Sequence, residues 1–199
     1  MIQWFADRSI ELLAVVFSMA YLYFSIRQKI LLWPMGMISA ILYMVVFFQS
    51  KFYADMGLNG YYLVVSIYGW IHWSHGKENH NFQPGITKIS RNMALVLGSL
   101  TLMVFWLIGW VLQRYTDSPV PYWDAFTTAL SFTATWMLAR KILEHWILWI
   151  VVDAISMGLY LYRGLYPTLV LFAVYTTMAV IGYLEWKKSY LRSMEEKAS

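Results

Sequence analysis

The sequence predicts an all-α integral membrane protein of seven transmembrane helices, in which two three-helix repeats are joined by a single helix. Three observations predict it. The 199 residues are 60% apolar and 19% aromatic with only 13% charged, where a soluble domain carries roughly 25% charged residues. The apolar residues fall into separate runs of about the ~20 residues that a helix needs to cross a bilayer. The chain also matches itself at a constant offset of 113 residues.

A soluble chain of this size would have to expose wide apolar patches, whereas lipid solvates them. The +4 formal charge does not point to nucleic acid, because the basic residues flank apolar runs and form no stripe. With no cysteine, disulfides, thiolate metal sites and cysteine nucleophiles are excluded. No nucleophile elbow, Walker loop, zincin helix or dinucleotide-binding glycine motif is present.

The helices follow in order. Runs without Asp, Glu, Lys or Arg cover 30–50, 56–76, 92–113 and 164–184. Three more spans are shorter or interrupted: 9–26 with Glu11 near its start, 125–139, and 145–162 with Asp153 inside it. Asp7 and Arg8 beside the first run, with no small-residue cleavage pattern, make it a retained helix rather than a signal peptide.

Lys and Arg concentrate in cytoplasmic loops. Eleven of them (Arg27, Lys29, Lys77, Lys88, Arg91, Arg140, Lys141, Lys187, Lys188, Arg192, Lys197) fall on one side of a seven-span chain, and four (Arg8, Lys51, Arg114, Arg163) on the other. The N-terminus is therefore expected outside and the C-terminus in the cytoplasm, in the inner membrane of a bacterial cell.

At the offset of 113, Arg27 pairs with Arg140, Trp33 with Trp146, Met44 with Met157, Tyr53 with Tyr166, Leu58 with Leu171, Tyr62 with Tyr175, Gly69 with Gly182 and Trp73 with Trp186. The expected organisation is a single transmembrane domain over 1–199: repeat one at about 9–76, a linker helix at about 92–113, repeat two at about 123–187, and a cytoplasmic tail over 188–199. The odd helix between the repeats gives both the same orientation, a 3+1+3 parallel arrangement found in small solute carriers.

Asp153 is the most informative residue. A carboxylate at a helix centre costs roughly 2.5 to 3.5 kcal/mol to insert, so it should face a wet cavity, meet a cation or be protonated. No Lys or Arg occupies the middle of a helix, which leaves an external cation or a proton; the other reading is an Asp that only packs helices. Trp146, Trp149, Asp153, Ser156 and Tyr160 recur at three and four residues and share one helix face. Indoles beside a carboxylate suit a flat cationic aromatic ligand; Trp146 alone could equally belong to an interfacial belt.

On the third helix Asp55, Asn59, Tyr62, Ser66 and Gly69 share a face, and Asn59 can donate to and accept from a ligand, or bond between helices. The fifth helix offers Thr127, Thr128, Ser131, Thr135 and Trp136, small hydroxyls that commonly glue helices together. His72, His75 and His80, with Glu78 as the sole acidic neighbour, read as loop histidines rather than a metal site. No metal and no cofactor is expected.

These residues resemble the Pnu vitamin transporters, the PnuC/PnuT type. The resemblance rests on Trp33-Pro34-x-Gly36, Phe52-Tyr53-Ala54-Asp55, Tyr68-Gly69-Trp70-x-x-Trp73, Trp123-Asp124-x-Phe126, Ala139-Arg140-Lys141 and Trp146-x-x-Trp149-x-x-x-Asp153, and it spans most of the chain. It implies a 3+1+3 fold, vitamin uptake by facilitated diffusion, retention by a cytoplasmic vitamin kinase, and helix 6 tryptophans lining the substrate site.

The nicotinamide riboside branch is similar to Trp-x-x-Trp-x-x-x-Asn with a Tyr three residues on; here Asp153 and Ser156 stand at those places. Tyr53-Ala54-Asp55 with Asn59-Gly60-Tyr61-Tyr62, and Thr116-Asp117-Ser118 through Thr127-Thr128-Ala129-Leu130-Ser131, look more like the thiamine branch. Thiamine is therefore the expected ligand and nicotinamide riboside the alternative; both are cationic aromatics.

The expected substrate-binding residues are Asp153, Trp149, Trp146, Asn59, Tyr62, Ser66, Ser156, Tyr160, Thr128 and Trp136. The expected partners are the vitamin, lipid and a homo-oligomer, a trimer, with no nucleic acid. An intramembrane enzyme is the remoter reading, since Asp153 lacks a second buried acid, base or metal cluster. A purely structural protein would leave Asp153 and its aromatic face unexplained.

Overall fold

The computed structural model describes residues 2–49, 53–78, 85–116, 118–162 and 166–198. Side chains at 2–9, 11, 53–55, 75–78, 167–168 and 197–198 fall outside that description, so His80 and the side chains of Glu11, Asp55, His75 and Glu78 are not placed. Among the described residues seven helices follow in order: α1 Ile2–Ile26, α2 Leu32–Gln49, α3 Tyr53–Glu78, α4 Arg91–Tyr115, α5 Pro121–Ala139, α6 His145–Tyr162 and α7 Tyr166–Ala198.

Four stretches, Leu32–Gln49, Arg91–Tyr115, His145–Tyr162 and Leu169–Glu196, are long and apolar enough to cross a membrane on composition alone. The interrupted sixth run belongs to this group despite Asp153, because the rest of α6 is almost wholly apolar. The third run is not in this group, since α3 carries Asn59, Ser66 and His72 among tyrosines, tryptophans and glycines that lower its hydropathy. Large apolar side chains cover the outside, as on α4, where Leu102, Met103, Trp106, Leu107 and Trp110 are all exposed. This is the surface that lipid solvates.

The chain forms two compact units, residues 1–84 and 85–199. In the first, α1 packs on α2 and α2 on α3; in the second, α4 packs on α5, α5 on α6 and α6 on α7. The repeat reappears in the helix bounds at the same offset. Ile26 and Ala139 end α1 and α5, Leu32 and His145 begin α2 and α6, Gln49 and Tyr162 end them, and Tyr53 and Tyr166 begin α3 and α7. The three-one-three order is thus built into the helices themselves.

The first two helices of each repeat are joined by the same turn. In unit one the Lys29 N–H donates to the Phe24 carbonyl at 2.9 Å and the Gln28 N–H to Ser25 at 3.1 Å; in unit two Ile142 donates to Met137 at 2.9 Å and Lys141 to Leu138 at 2.9 Å. These are Schellman caps, whose turning residue takes the left-handed conformation usually given to glycine. Gln28 and Lys141 both have φ 54°, a strained conformation for a residue with a side chain, costing about 1 kcal/mol.

Behind each turn a tryptophan locks the second helix onto the third. The Trp33 and Trp73 rings meet edge to face at 5.4 Å and 89°, and Trp146 and Trp186 at 5.9 Å and 81°. Each indole lies on a glycine one helix away: a Cβ at Gly69 would overlap Trp33, and one at Gly182 would come within 2.6 Å of Trp146. Among the described residues the buried Nε1 atoms of Trp33 and Trp146 have no hydrogen-bond partner, so packing, not hydrogen bonding, holds these indoles in place. Edge-to-face pairs add about 0.5 to 1.5 kcal/mol beyond burial.

Unit two carries one addition. Residues 85–90 run alongside the α5–α6 turn as a strap. Thr87 pairs with Ile142 in a parallel bridge, its N–H donating to the Lys141 carbonyl at 3.0 Å and its carbonyl accepting from Leu143 at 2.9 Å. The Ile89 N–H donates to Glu144 Oε2 at 3.0 Å, and Lys88 Nζ stands 5.3 Å from the Tyr190 ring centre. The strap then enters α4 through Ser90, whose hydroxyl caps the helix by accepting from the Met93 N–H at 3.3 Å.

Candidate substrate site

On α6, Trp146, Val152, Asp153 and Ser156 are buried while Ile147, Val151, Ala154, Gly158 and Leu161 are exposed. The helical periodicity therefore turns the face bearing Trp146, Trp149, Asp153, Ser156 and Tyr160 away from the surface. Asp153 is only 6% exposed. Among the described residues its carboxylate has neither a hydrogen-bond donor nor a cation, although an ionised carboxylate is costly to bury unpaired. Ser156 is buried and equally without a partner.

The other residues of this unit divide by environment. Trp149 and Tyr160 are partly buried, Tyr160 with its ring 5.1 Å from Phe172. Trp146 is enclosed at 1% exposure between His145, Gly182 and Trp186. It shares a helix face with Asp153, yet its neighbours are those of Trp33 in unit one. Thr128 and Trp136 are partly buried on α5, the Trp136 ring 6.0 Å from the Arg140 guanidinium. Ser131 and Thr135 donate to their own helix, to Thr127 and Ser131 carbonyls at 2.8 and 2.7 Å, as small hydroxyls in apolar helices do.

In unit one, Asn59, Ser66, Gly69 and Trp73 are buried and Tyr62 partly so, while Val64, Ile67, Tyr68 and Ile71 are exposed, which turns the Asn59–Ser66 face of α3 inward. Ser66 is 3% exposed with no hydrogen-bond partner among the described residues. Helix α1 adds Tyr21, whose ring lies on Gly36 of α2, a residue that periodicity alone did not single out. His72 stacks on Tyr68 at 5.9 Å and 8°. Among the described residues no three His, Asp or Glu side chains gather as a metal site.

Three buried polar residues break the repeat, whereas the Trp and Gly residues that lock the helices obey it. Asp153 corresponds to Ala40, Asn59 to Phe172 and Ser66 to Ala179, whereas Trp33, Gly69 and Trp73 have their counterparts in Trp146, Gly182 and Trp186. A repeated helical frame in a membrane, in which one unit buries a carboxylate that has no partner among the described residues and the other buries hydroxyl and amide groups, is the construction of a polytopic solute carrier.

Comparison with known proteins agrees. Residues 8–188 match the family described as nicotinamide mononucleotide transporter, and the chain belongs to that family. It is 24% identical over 186 residues to the nicotinamide riboside transporter PnuC of Escherichia coli strain K12, covering 81% of this chain and 78% of the relative. It is 22% identical over 176 residues to the riboflavin/roseoflavin transporter RibM of Streptomyces davaonensis, covering 85% and 79%. A crystal structure of the vitamin B3 transporter PnuC superposes with a TM-score of 0.74 at 23% identity, over 94% of this chain and 84% of that one, which shows the shared fold.

Proposed function

We propose that this chain imports a cationic aromatic vitamin across the cell membrane by facilitated diffusion, with nicotinamide riboside as the first substrate to test. The observation that carries the reading is Asp153: a buried carboxylate with no partner of its own among the described residues, one helical turn from a partly buried tryptophan. A positively charged ring supplies both the missing cation and the flat surface that an indole stacks on. The pyridinium of nicotinamide riboside is such a ring, and its ribose hydroxyls are natural partners for the buried Ser156 one turn further along the same helix.

The relatives reported above are named for nicotinamide riboside and for riboflavin. These names support nicotinamide riboside over thiamine as the first substrate to test, the reverse of the order expected from branch resemblance. Thiamine remains the second reading on one observation, the carboxylate of Asp153 where the riboside branch is expected to carry an amide; its thiazolium is also a permanent cation. Titration of purified protein with both vitamins decides between them. Nicotinamide riboside binding with thiamine inert supports the first reading, the opposite supports the second, and binding of neither removes the proposal. Retention by a cytoplasmic kinase is part of the same proposal: vesicles without kinase and ATP should equilibrate the vitamin and not concentrate it.

A further inference from the structure

We infer that Asp153 is protonated while no vitamin is bound and that the vitamin's cation displaces this proton, so that binding releases it to solvent; the inference rests on the reading above that Asp153 meets the cation. Asp153 lies midway along the 18 residues of α6, about 12 Å from either end at the ~1.5 Å rise of a helix. It is buried, and among the described residues its carboxylate meets neither a donor nor a cation. Helix α6 packs on α5 and α7, whose charges lie toward their ends. Helix α5 carries Asp124 in its first turn and Arg140 at its C-cap, and α7 carries none before Glu185. On α6 itself, His145 is the first residue and its Nδ1 lies 2.7 Å from the Ile142 carbonyl. The titratable groups between these ends are phenols such as Tyr160 and Tyr175, which carry no charge near neutral pH. A carboxylate buried without a counter-charge neutralises itself by taking up a proton.

Packing does not call for an acid at this place. The counterpart of Asp153 in unit one is Ala40, equally buried in the same repeated frame, so a methyl group fills the position where no ligand chemistry is needed. The exchange balances in charge. The carboxylic acid gives its proton to the buffer, and the carboxylate that remains pairs with the ring cation, so the site is neutral before and after. The pyridinium of nicotinamide riboside is a permanent cation with no proton of its own to release, so the proton that appears comes from the protein. Proton and vitamin then compete for one group, and by linkage each weakens the binding of the other.

Calorimetric titration of purified protein with nicotinamide riboside, and with thiamine in a parallel arm, counts the released protons when it is repeated in two buffers of different ionisation enthalpy. For the vitamin that binds, the count should exceed one half at about pH 6 and decline as the pH rises toward about 9. Affinity should fall on the acid side by up to about tenfold per pH unit. Asp153→Asn, whose amide does not ionise, should bind more weakly, release no proton and hold one affinity across the same pH range. If the amide variant does not fold, Asp153→Ala, the residue that the repeat carries at Ala40, takes its place. Binding to the parent without proton release overturns the inference and leaves the site reading standing. Equal release from parent and variant overturns it too, because the proton then belongs to another group such as His145. Binding of neither vitamin removes the site reading and the inference with it.

Discussion

The indole of Trp146 rests on Gly182, and 113 residues earlier the indole of Trp33 rests on Gly69 in the same way. Adding a methyl at either glycine forces a rigid, fully buried ring to move. Gly69→Ala and Gly182→Ala should each destabilise the protein by about 1 to 3 kcal/mol, the usual cost of overpacking. Gly98→Ala, where a Cβ would meet nothing within 4 Å, should be neutral or stabilising by up to about 1 kcal/mol, because alanine favours helix. Melting temperatures in detergent measure all three; equal behaviour of the three would remove the Trp–Gly lock.

The left-handed turn at Lys141 gives a second prediction. Burial draws its ammonium down to about 8 from 10.5, so between those values the unfolded chain holds a proton that the folded one has released. Stability from this residue is therefore fully present above about 10.5 and is lost as the pH falls toward 8. Lys141→Gly removes both the charge and the φ of 54°, and should raise stability at pH 7 by roughly 1 kcal/mol while flattening its pH dependence between 7 and 9.5. A variant that melts lower, with an unchanged pH profile, would contradict this.

Glu144 accepts from the Ile89 N–H in the strap, and its counterpart in unit one is Leu31. Glu144→Leu should destabilise by about 1 kcal/mol, within the range for a hydrogen bond to a charged group at a partly exposed site. It should also speed hydrogen exchange at the Leu143 amide, which donates to Thr87 at 2.9 Å. Unchanged exchange there would mean that the strap holds without the carboxylate.

Sidedness follows from charge. Reporter fusions after residue 80 and at the C-terminus should read as cytoplasmic, because the flanks holding Lys77, Lys88, Arg91, Lys187, Lys188 and Arg192 carry most of the basic residues. An external signal from the C-terminal fusion would reverse the orientation.

What the sequence made legible follows from the range of the physics involved. Hydropathy is local, so the seven helices and the inward faces of α3 and α6 could be read from spacing. A gapless offset is equally plain, and it carried the Trp33–Gly69 and Trp146–Gly182 locks as matched pairs before any contact was known. Periodicity gives a residue's face but not its neighbour, which is why Trp146 and Asp153 read alike although one is wedged against Gly182 and the other has no partner among the described residues. Tyr21 was hidden for the opposite reason: beside Ala134, with Gly36 beside Trp149, it looks like two unrelated mismatches. Only the fold brings the Tyr21 ring onto Gly36. The strap was not legible either, since Thr87 and Ile142 pair across a long stretch of sequence with no periodic signal.

Asp153→Asn keeps the shape of the side chain and removes the charge proposed to meet the vitamin's cation. Binding of nicotinamide riboside and of thiamine to purified parent and variant should be measured by calorimetric titration, with melting temperature as the control for folding. Well-folded Asp153→Asn should bind the preferred vitamin about 1 to 3 kcal/mol more weakly, the range for a charge-assisted contact. Binding as tight as in the parent would contradict it, and would leave Asp153 as a packing or proton-carrying residue.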